Sequence, residues 1–399
     1  MKGNPQILTG AAFAWRLAVF YSALCAVLGV QMPFLPVWFA AKGLDAASVG
    51  VALAIPLVVR LIAIPLASRI ADQFGAVRGV IVIGAAASLL GYLAVGLVHT
   101  PAAIMAAVAL ASIFYTPLMP LADAYALRGL ALHGRSYGLL RLWGSAAFIV
   151  GTLGGGALLD LIDPRALIWA VVAAMALNAA AACALAPLGE KASGRHHISA
   201  RPLLRDRRFL MVAAAAGLIQ ASHAVYYGFS ALQWQSAGYD GTTIAVLWTV
   251  GVVAEIVLFA VSARVALDPI ALLLAGAAGA IIRWAAMAFD PPPMLLLMLQ
   301  MLHALSFGAT HLGALAYVAR VAPAGLGASA QGYLAVVIAL LTAGAMSVSG
   351  ELYACWQSGA YWAMAAFAAL GGLVLLAGVF GGGGKECCEG AEARVSSQG

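Results

Sequence analysis

An all-α membrane protein, with twelve transmembrane helices in two pseudo-symmetric six-helix bundles, is predicted by three features of the 399-residue sequence. Apolar residues make up 64% of the chain and charged residues 9%, whereas a water-soluble domain carries roughly 25% charge because it must face water. Apolar runs of about twenty residues recur from end to end, each long enough to cross a hydrocarbon core about 30 Å thick. The chain also repeats itself. A shift of 195 residues lays "KGLDAASVGVALAIPLVVRLIAIPLASR", ending at Arg69, over "AGYDGTTIAVLWTVGVVAEIVLFAVSAR", ending at Arg264, and so places Gly43 over Gly238, Asp45 over Asp240 and Arg60 over Glu255.

Charges and Pro/Gly breaks between the apolar runs predict helices over 14–40, 48–69, 79–98, 101–127, 136–160 and 165–187 in the first half. In the second half they predict 209–233, 242–264, 269–289, 294–319, 328–353 and 358–380. No removable leader is evident before the first of these, which is expected to act as its own insertion signal. With a slightly different shift, "ADAYALR" ending at Arg128 overlays "ALAYVAR" ending at Arg320, which carries the repeat into the fourth and tenth helices. The expected domains are therefore an N-terminal bundle over 1–187, a linker over 188–208, a C-terminal bundle over 209–380 and a flexible tail over 381–399.

Orientation follows from the loops. Arg69 and Arg78, Arg128 and Arg135, the cluster from Lys191 to Arg208, Arg264 and Arg320 fall on one side, and only Lys42 and Arg165 on the other. The expected location is a bacterial-type inner (plasma) membrane, and the positive-inside rule predicts that both termini and the linker lie in the cytoplasm. The net charge of +6 comes from these loops, which suits anionic lipid headgroups and gives no reason to expect nucleic acid. Cys25, Cys183 and Cys355 lie in separate apolar segments and Cys387 and Cys388 in the tail, with neither a disulfide framework nor metal-ligand spacing. No metal or cofactor is expected. Nor is an enzyme, because no Ser/His or two-Asp pattern sits at catalytic spacing and no cofactor loop is present.

A charge in the hydrocarbon costs about 2.5–3.5 kcal/mol even on insertion scales, so each buried one points to function. Asp123 near the end of the fourth helix and Arg141 near the start of the fifth are both about 7 Å below the cytoplasmic surface at 1.5 Å per residue, within reach of one another. They suit either a fixed ion pair that locks two helices or a role in binding or gating. Arg60 lies about 18 Å into the second helix and Glu255 about 20 Å into the eighth, both near the membrane centre. Arg283 sits in the ninth helix beside Trp284, which can stack on a guanidinium or on an aromatic ligand. A salt-bridge network without a ligand is the alternative for these three.

His223, His303 and His311 are also mid-membrane, where a neutral imidazole can satisfy itself on a carbonyl or act in proton transfer. His303 and His311 are eight residues apart, hence about 80° apart around the tenth helix. Glu351 falls near a helix end and reads as solvated. Arg60, Arg141 and Arg283 against Asp123 and Glu255 leave one positive charge, which a carboxylate substrate would balance. Tyr226 and Tyr227 are the first choices for aromatic walls, ahead of Tyr115, Trp234 and Trp248.

The twelve-helix, six-plus-six plan resembles the major facilitator superfamily across nearly the whole chain. "SRIADQFGAVR" is similar to the superfamily's Gly-x-x-x-Asp-Arg-x-Gly-x-Arg-Arg loop, keeping Asp72, Gly75 and Arg78 but carrying Ser68 and Gln73 where Gly and Arg are usual. More specific are "SYGLLRLWGSAAF", "SHAVYYGFSALQWQSAGY", "LWTVGVVAEIVLF", "IIRWAAM" and "QMLHALSFGATHLGALAYVA". Together they resemble the phenylpropionate permease group, relatives of the lactose permease type of proton symporter. That resemblance implies substrate contacts at Asp123 and Arg141, and a coupling cluster at Glu255, Arg283 and His303. One departure is plain: the sugar permease pattern His-x-x-Glu in the tenth helix reads His303-x-x-Ser306 here. Proton transfer must then use Glu255 or Asp123, with His303 assisting.

The expected activity is proton-coupled symport of small aromatic organic acids by alternating access, with Arg60, Arg141 and Arg283 drawing the carboxylate and Tyr226 and Tyr227 walling the ring. A single copy of the chain in the bilayer, with substrate and protons as its partners, is the expected unit. A symporter of sugars or nucleosides and a drug/proton efflux antiporter are the alternatives; the fifth helix, "GSAAFIVGTLGGGALLD", has glycines but lacks the proline common in such antiporters.

Overall fold

A computed structural model describes residues 9–188, 203, 205–262, 264, 267–323 and 326–380. The expected linker falls largely, and the tail with Cys387 and Cys388 wholly, outside the described residues. The helices are α1 (Gly10–Ala41), α2 (Ala46–Gln73), α3 (Val77–Leu97), α4 (Pro101–Leu132), α5 (Tyr137–Leu161), α6 (Pro164–Cys183), α7 (Arg207–Ser236), α8 (Gly241–Ser262), α9 (Pro269–Met287) and α10 (Pro293–Val321). The apolar stretch Ser329–Val379 carries the last two, α11 (Gly327–Trp356) and α12 (Ala360–Phe380), joined by the 3-10 turn Gln357–Gly359. By length and composition the chain is a multi-pass membrane protein. A helix that is apolar all round needs its starts marked by polar side chains. Thr9, Asp45, Thr100, Ser136, Asp206 and Asp268 each accept a hydrogen bond from the first turn of the helix they precede.

The sequence repeat survives as atomic geometry. Gly43 and Gly238 both have φ of 89°, a left-handed conformation that glycine adopts without steric cost. Leu44 N donates to Phe39 O and Gly43 N to Ala40 O, while Tyr239 N donates to Trp234 O and Gly238 N to Gln235 O. Both are Schellman C-caps. The next helix then starts on Asp45, which accepts from Ser48 N, or on Asp240, which accepts from Thr243 N. Every one of these atoms is displaced by the same 195 residues. Packing repeats too: α1 with α6, α3 with α6 and α3 with α4 are matched by α7 with α12, α9 with α12 and α9 with α10.

The chain forms two compact units. One holds α1 to α6 together with Val225–Val252 and Met346–Gln357; the other holds the described residues before Val225 in α7, Val253–Ala345 and the chain from Ser358. The segments Val225–Val252 and Met346–Gln357, which a six-plus-six division gives to the second half, pack in the first unit through glycines. A Cβ at Gly156 of α5 would collide with the Gly241 carbonyl of α8, and one at Gly350 of α11 with the Ala46 carbonyl of α2. Small residues let helix backbones approach in this way in membranes, where dispersion replaces hydrophobic driving force. At the same place Asp160 accepts from Gly241 N and from Thr242 N and Oγ1, the last two at 3.0 and 2.6 Å. Its carboxylate thus caps the N-terminus of α8 from another helix. Asp160→Ala is expected to lower stability by about 1 kcal/mol, as for loss of an N-cap, and Asp160→Asn by less; thermal unfolding in detergent measures both.

Among the described residues three helices are interrupted, two of them at a histidine picked out for its chemistry and the third shortly before Asp123. In α4 the regular turns stop at Tyr115 and resume at Leu118, because Pro117 and Pro120 cannot donate backbone hydrogen bonds. Asp123 follows in the next turn. In α7 the break falls at Ser222 and His223: Ser222 Oγ donates to Ile219 O at 2.6 Å, and His223 Nδ1 lies 3.2 Å from the carbonyls of Ile219 and Gln220. Side chains that bond the preceding turn compete with the helix for those carbonyls. In α10 a π-helical turn, Ala304–Ala309, begins directly after His303, and such turns in helices are frequent at functional sites.

Candidate functional site

In the first unit, α1, α4 and α5 converge on a polar cluster. Asp123 Oδ1 accepts from Tyr21 OH at 2.9 Å and from Tyr137 OH at 2.6 Å, and Arg141 Nη1 donates to Tyr21 OH at 3.0 Å. The anticipated contact between Asp123 and Arg141 is therefore not direct; the buried Tyr21 phenol stands between them and relays the hydrogen bond. Two phenols hold one Asp123 carboxylate oxygen, and the exposed Arg141 guanidinium uses one of its five donors in a hydrogen bond among the described residues. Such a fork matches a carboxylate in two parallel bonds. Arg60, half-buried in α2, has no hydrogen-bond or ion-pair partner among the described residues. Tyr21 was not singled out from sequence. Tyr137 had a signal there, four residues before Arg141 and so on the same helical face.

Tyr226, Tyr227, Trp234 and Trp248 pack on one another in the same unit. Tyr226 stacks on Trp248 with ring centroids 4.7 Å apart, Tyr227 lies 5.9 Å from Trp248, and Trp234 meets Tyr226 edge-on at 6.1 Å. Tyr226 and Trp248 are buried, whereas Tyr227 keeps a partly open side. Tyr115 is set apart, edge-on to Tyr92.

The second unit gathers Glu255 from α8, Arg283 from α9 and His303 from α10, together with Gln300, which the sequence did not single out, and with Ser306 and His223, whose bonds to one another it did not show. Arg283 is fully buried. Its Nη2 donates to Gln300 Oε1 at 2.6 Å, and its Nη1 lies 3.0 Å from His303 Nδ1 and 3.3 Å from Ser306 Oγ. Its plane lies over the Trp284 ring, Cζ 4.6 Å from the centroid, and Trp284 also stacks on Tyr361 and donates from Nε1 to Ser222 Oγ. A guanidinium can only donate. His303 Nδ1 must therefore accept, which places the imidazole proton on Nε2, and that atom is 3.7 Å from Glu255 Oε2. Glu255 retains 19% side-chain exposure against 10% for His303, so the carboxylate is the more exposed member of the pair. His303 and His311 do share a face, but through Phe307, which stacks between their rings at 5.2 and 6.0 Å.

The loop between α2 and α3 has Gly75 at φ 61° and an exposed Asp72. Arg78 donates from Nε and Nη2 to Leu185 O and Cys183 O, placing its charge on the carbonyl end of α6 where the helix dipole is negative. Among the described residues no group of three or more His, Cys, Asp or Glu could hold a metal ion, and Cys25, Cys183 and Cys355 are free thiols.

A family model described as "MFS_1 like family" matches residues 14–368. The chain belongs to the MFS_1-like family. Within it, the chain is 32% identical over 362 residues to the "Probable 3-phenylpropionic acid transporter" of Escherichia coli (strain K12), covering 88% of this chain and 93% of that protein. It is 27% identical over 380 residues to the "Maltose permease" of Geobacillus stearothermophilus, covering 92% and 96%. Among solved structures, the nucleoside transporter NupG superposes with a TM-score of 0.78 at 16% identity, over 92% of this chain and 98% of that one. A D-xylose-proton symporter superposes with a TM-score of 0.71 at 12% identity, over 91% and 97%. These likenesses establish the major facilitator fold, and family membership makes this chain a secondary transporter rather than an enzyme.

Proposed function

We propose that this MFS_1-like transporter is a proton-coupled symporter that imports small aromatic carboxylic acids, of which 3-phenylpropionate is the first to try. The observation that carries the reading is the exposed Arg141 fork, braced through Tyr21 by an Asp123 that Tyr137 also holds. A braced guanidinium with free donors binds a planar carboxylate better than it binds a neutral sugar. Arg60, half-buried and without a hydrogen-bond or ion-pair partner among the described residues, is the second cation for the same group. Tyr227, half-buried beside Trp248, suits the ring. Coupling is assigned to Glu255 with His303, and the similarity to a protein named as a probable 3-phenylpropionic acid transporter supports the substrate class. The plasma membrane, cytoplasmic termini and a single-chain working unit belong to this reading, with alternating access as the transport cycle.

A second reading, symport of sugars or nucleosides, draws on the maltose permease and nucleoside transporter likenesses. Uptake of labelled 3-phenylpropionate into right-side-out vesicles holding the protein, with and without an inward proton gradient, separates the two. Gradient-driven accumulation that excess unlabelled 3-phenylpropionate abolishes, and excess maltose or uridine does not, is the expected result. Accumulation of maltose or uridine with no response to the aromatic acid would replace the first reading with the second.

A further inference from the structure

The polar chain of the second unit runs past the coupling pair to His223, whose ring is completely buried. His223 Nδ1 faces two carbonyls, Ile219 O and Gln220 O, each at 3.2 Å, and Nε2 lies 3.1 Å from Ser306 Oγ. Carbonyls only accept, so Nδ1 carries the proton, and in a neutral ring Nε2 is then an acceptor. Ser306 Oγ accepts from Arg283 Nη1, which leaves its single hydroxyl hydrogen for His223 Nε2. The hydrogen-bonded atoms from Arg283 Nη1 through Ser306 Oγ and His223 to the α7 backbone thus have one assignment. His223 and His303 hold opposite tautomers, with Arg283 and Ser306 between them. Charged and titratable groups facing this chain are Arg283 from α9, His303 from α10 and, beyond His303, Glu255 from α8. The edges of Trp284 and Phe307 close the remaining sides of the His223 ring.

We propose that His223, acting through the Ser306 hydroxyl, is a positioning residue for proton coupling: it orients Ser306 to share the Arg283 charge, and so sets how readily Glu255 beside His303 takes up a proton. This rests on the symport reading above. The physical link is the guanidinium, whose positive field opposes protonation of a nearby carboxylate. Ser306 Oγ draws one of its N–H groups away from the coupling pair. When that acceptor is lost, more of the charge is left to His303 and Glu255, and a lower pH is needed to protonate the carboxylate.

The test is the pH profile of gradient-driven uptake in proteoliposomes. Ser306→Ala is expected to move the midpoint toward acid by about one pH unit, the size of one hydrogen bond to a charged group. His223→Gln, whose carbonyl can still accept from Ser306, is expected to keep the wild-type midpoint, and His223→Leu to shift it as Ser306→Ala does, with no further shift in the double variant. An unchanged midpoint in Ser306→Ala, in a wild type that is proton-driven, would overturn the inference while leaving the symport reading in place; a wild type indifferent to protons would sink the reading and with it the inference. Nitrogen-15 spectra of the histidines test the chain without transport and whether or not the leucine variant folds. Bare Nε2 at His223 and bare Nδ1 at His303, assigned by their single Gln replacements, are expected, and the same tautomer at both sites would refute the arrangement.

Discussion

Glu255→Gln is expected to abolish accumulation of substrate against its gradient while leaving exchange across the membrane intact. The replacement keeps the shape of the side chain and removes its titration. Coupling is a reciprocal free energy: proton and substrate must each change the other's affinity, and a site fixed in charge cannot do so. A gradient of one pH unit and one proton per cycle support about tenfold accumulation, so the variant should fall from that ratio to an inside concentration equal to the outside. Exchange should persist, because Arg141 and Tyr21 lie in the other compact unit and keep their hydrogen bond. Glu255 meets His303 at 3.7 Å with Nε2 bearing the proton, so the carboxylate is the accepting end of the pair. Uphill uptake that survives Glu255→Gln would move the coupling role to Asp123, and survival in the Asp123→Asn, Glu255→Gln double variant would remove both from the assignment.

Arg141→Gln is expected to weaken substrate affinity by about ten- to a hundredfold, the loss of charge-assisted hydrogen bonds worth roughly 1.5–3 kcal/mol. Arg141→Lys should recover only part of this, because a point charge cannot make the two parallel bonds of the fork. Tyr21→Phe isolates the bracing from the charge. It removes the phenol that receives from Arg141 and donates to Asp123, so affinity should fall less than in Arg141→Gln. Equilibrium binding of labelled 3-phenylpropionate to detergent-solubilised protein measures all three. Equal affinity in wild type and Arg141→Gln would exclude this residue from the carboxylate site and turn attention to Arg60.

Much of this protein was settled by patterning that needs no tertiary context. A backbone in lipid must satisfy its hydrogen bonds internally, so long apolar runs become helices, and each of the twelve expected segments overlaps a helix in the structure. The 195-residue repeat was legible because left-handed turns demand glycine and helix starts favour Asp, and Gly43, Asp45, Gly238 and Asp240 show that demand in identical hydrogen bonds. Buried charge was equally legible, since Asp, Glu and Arg stand out in an apolar segment. Arg283, Glu255 and His303 do converge.

Patterning along the chain thus fixes the number and course of the helices, the repeat, and which charged residues must find polar surroundings; packing decides who their neighbours are. Tyr21 and Gln300 are unremarkable in an apolar helix, Ser306 stands out only for what it replaces, and only packing from a distant segment brings a phenol between Asp123 and Arg141 or a hydroxyl between Arg283 and His223. The interruptions of α7 and α10 were invisible for a related reason: an apolar run reads the same whether or not one turn is broken, and the break depends on where side chains such as Ser222 and His223 direct their hydrogen bonds. Hydrophobicity is a property of a segment and can be read along the chain. Hydrogen-bond direction is a property of two atoms held within about 3 Å, and only the fold brings them together.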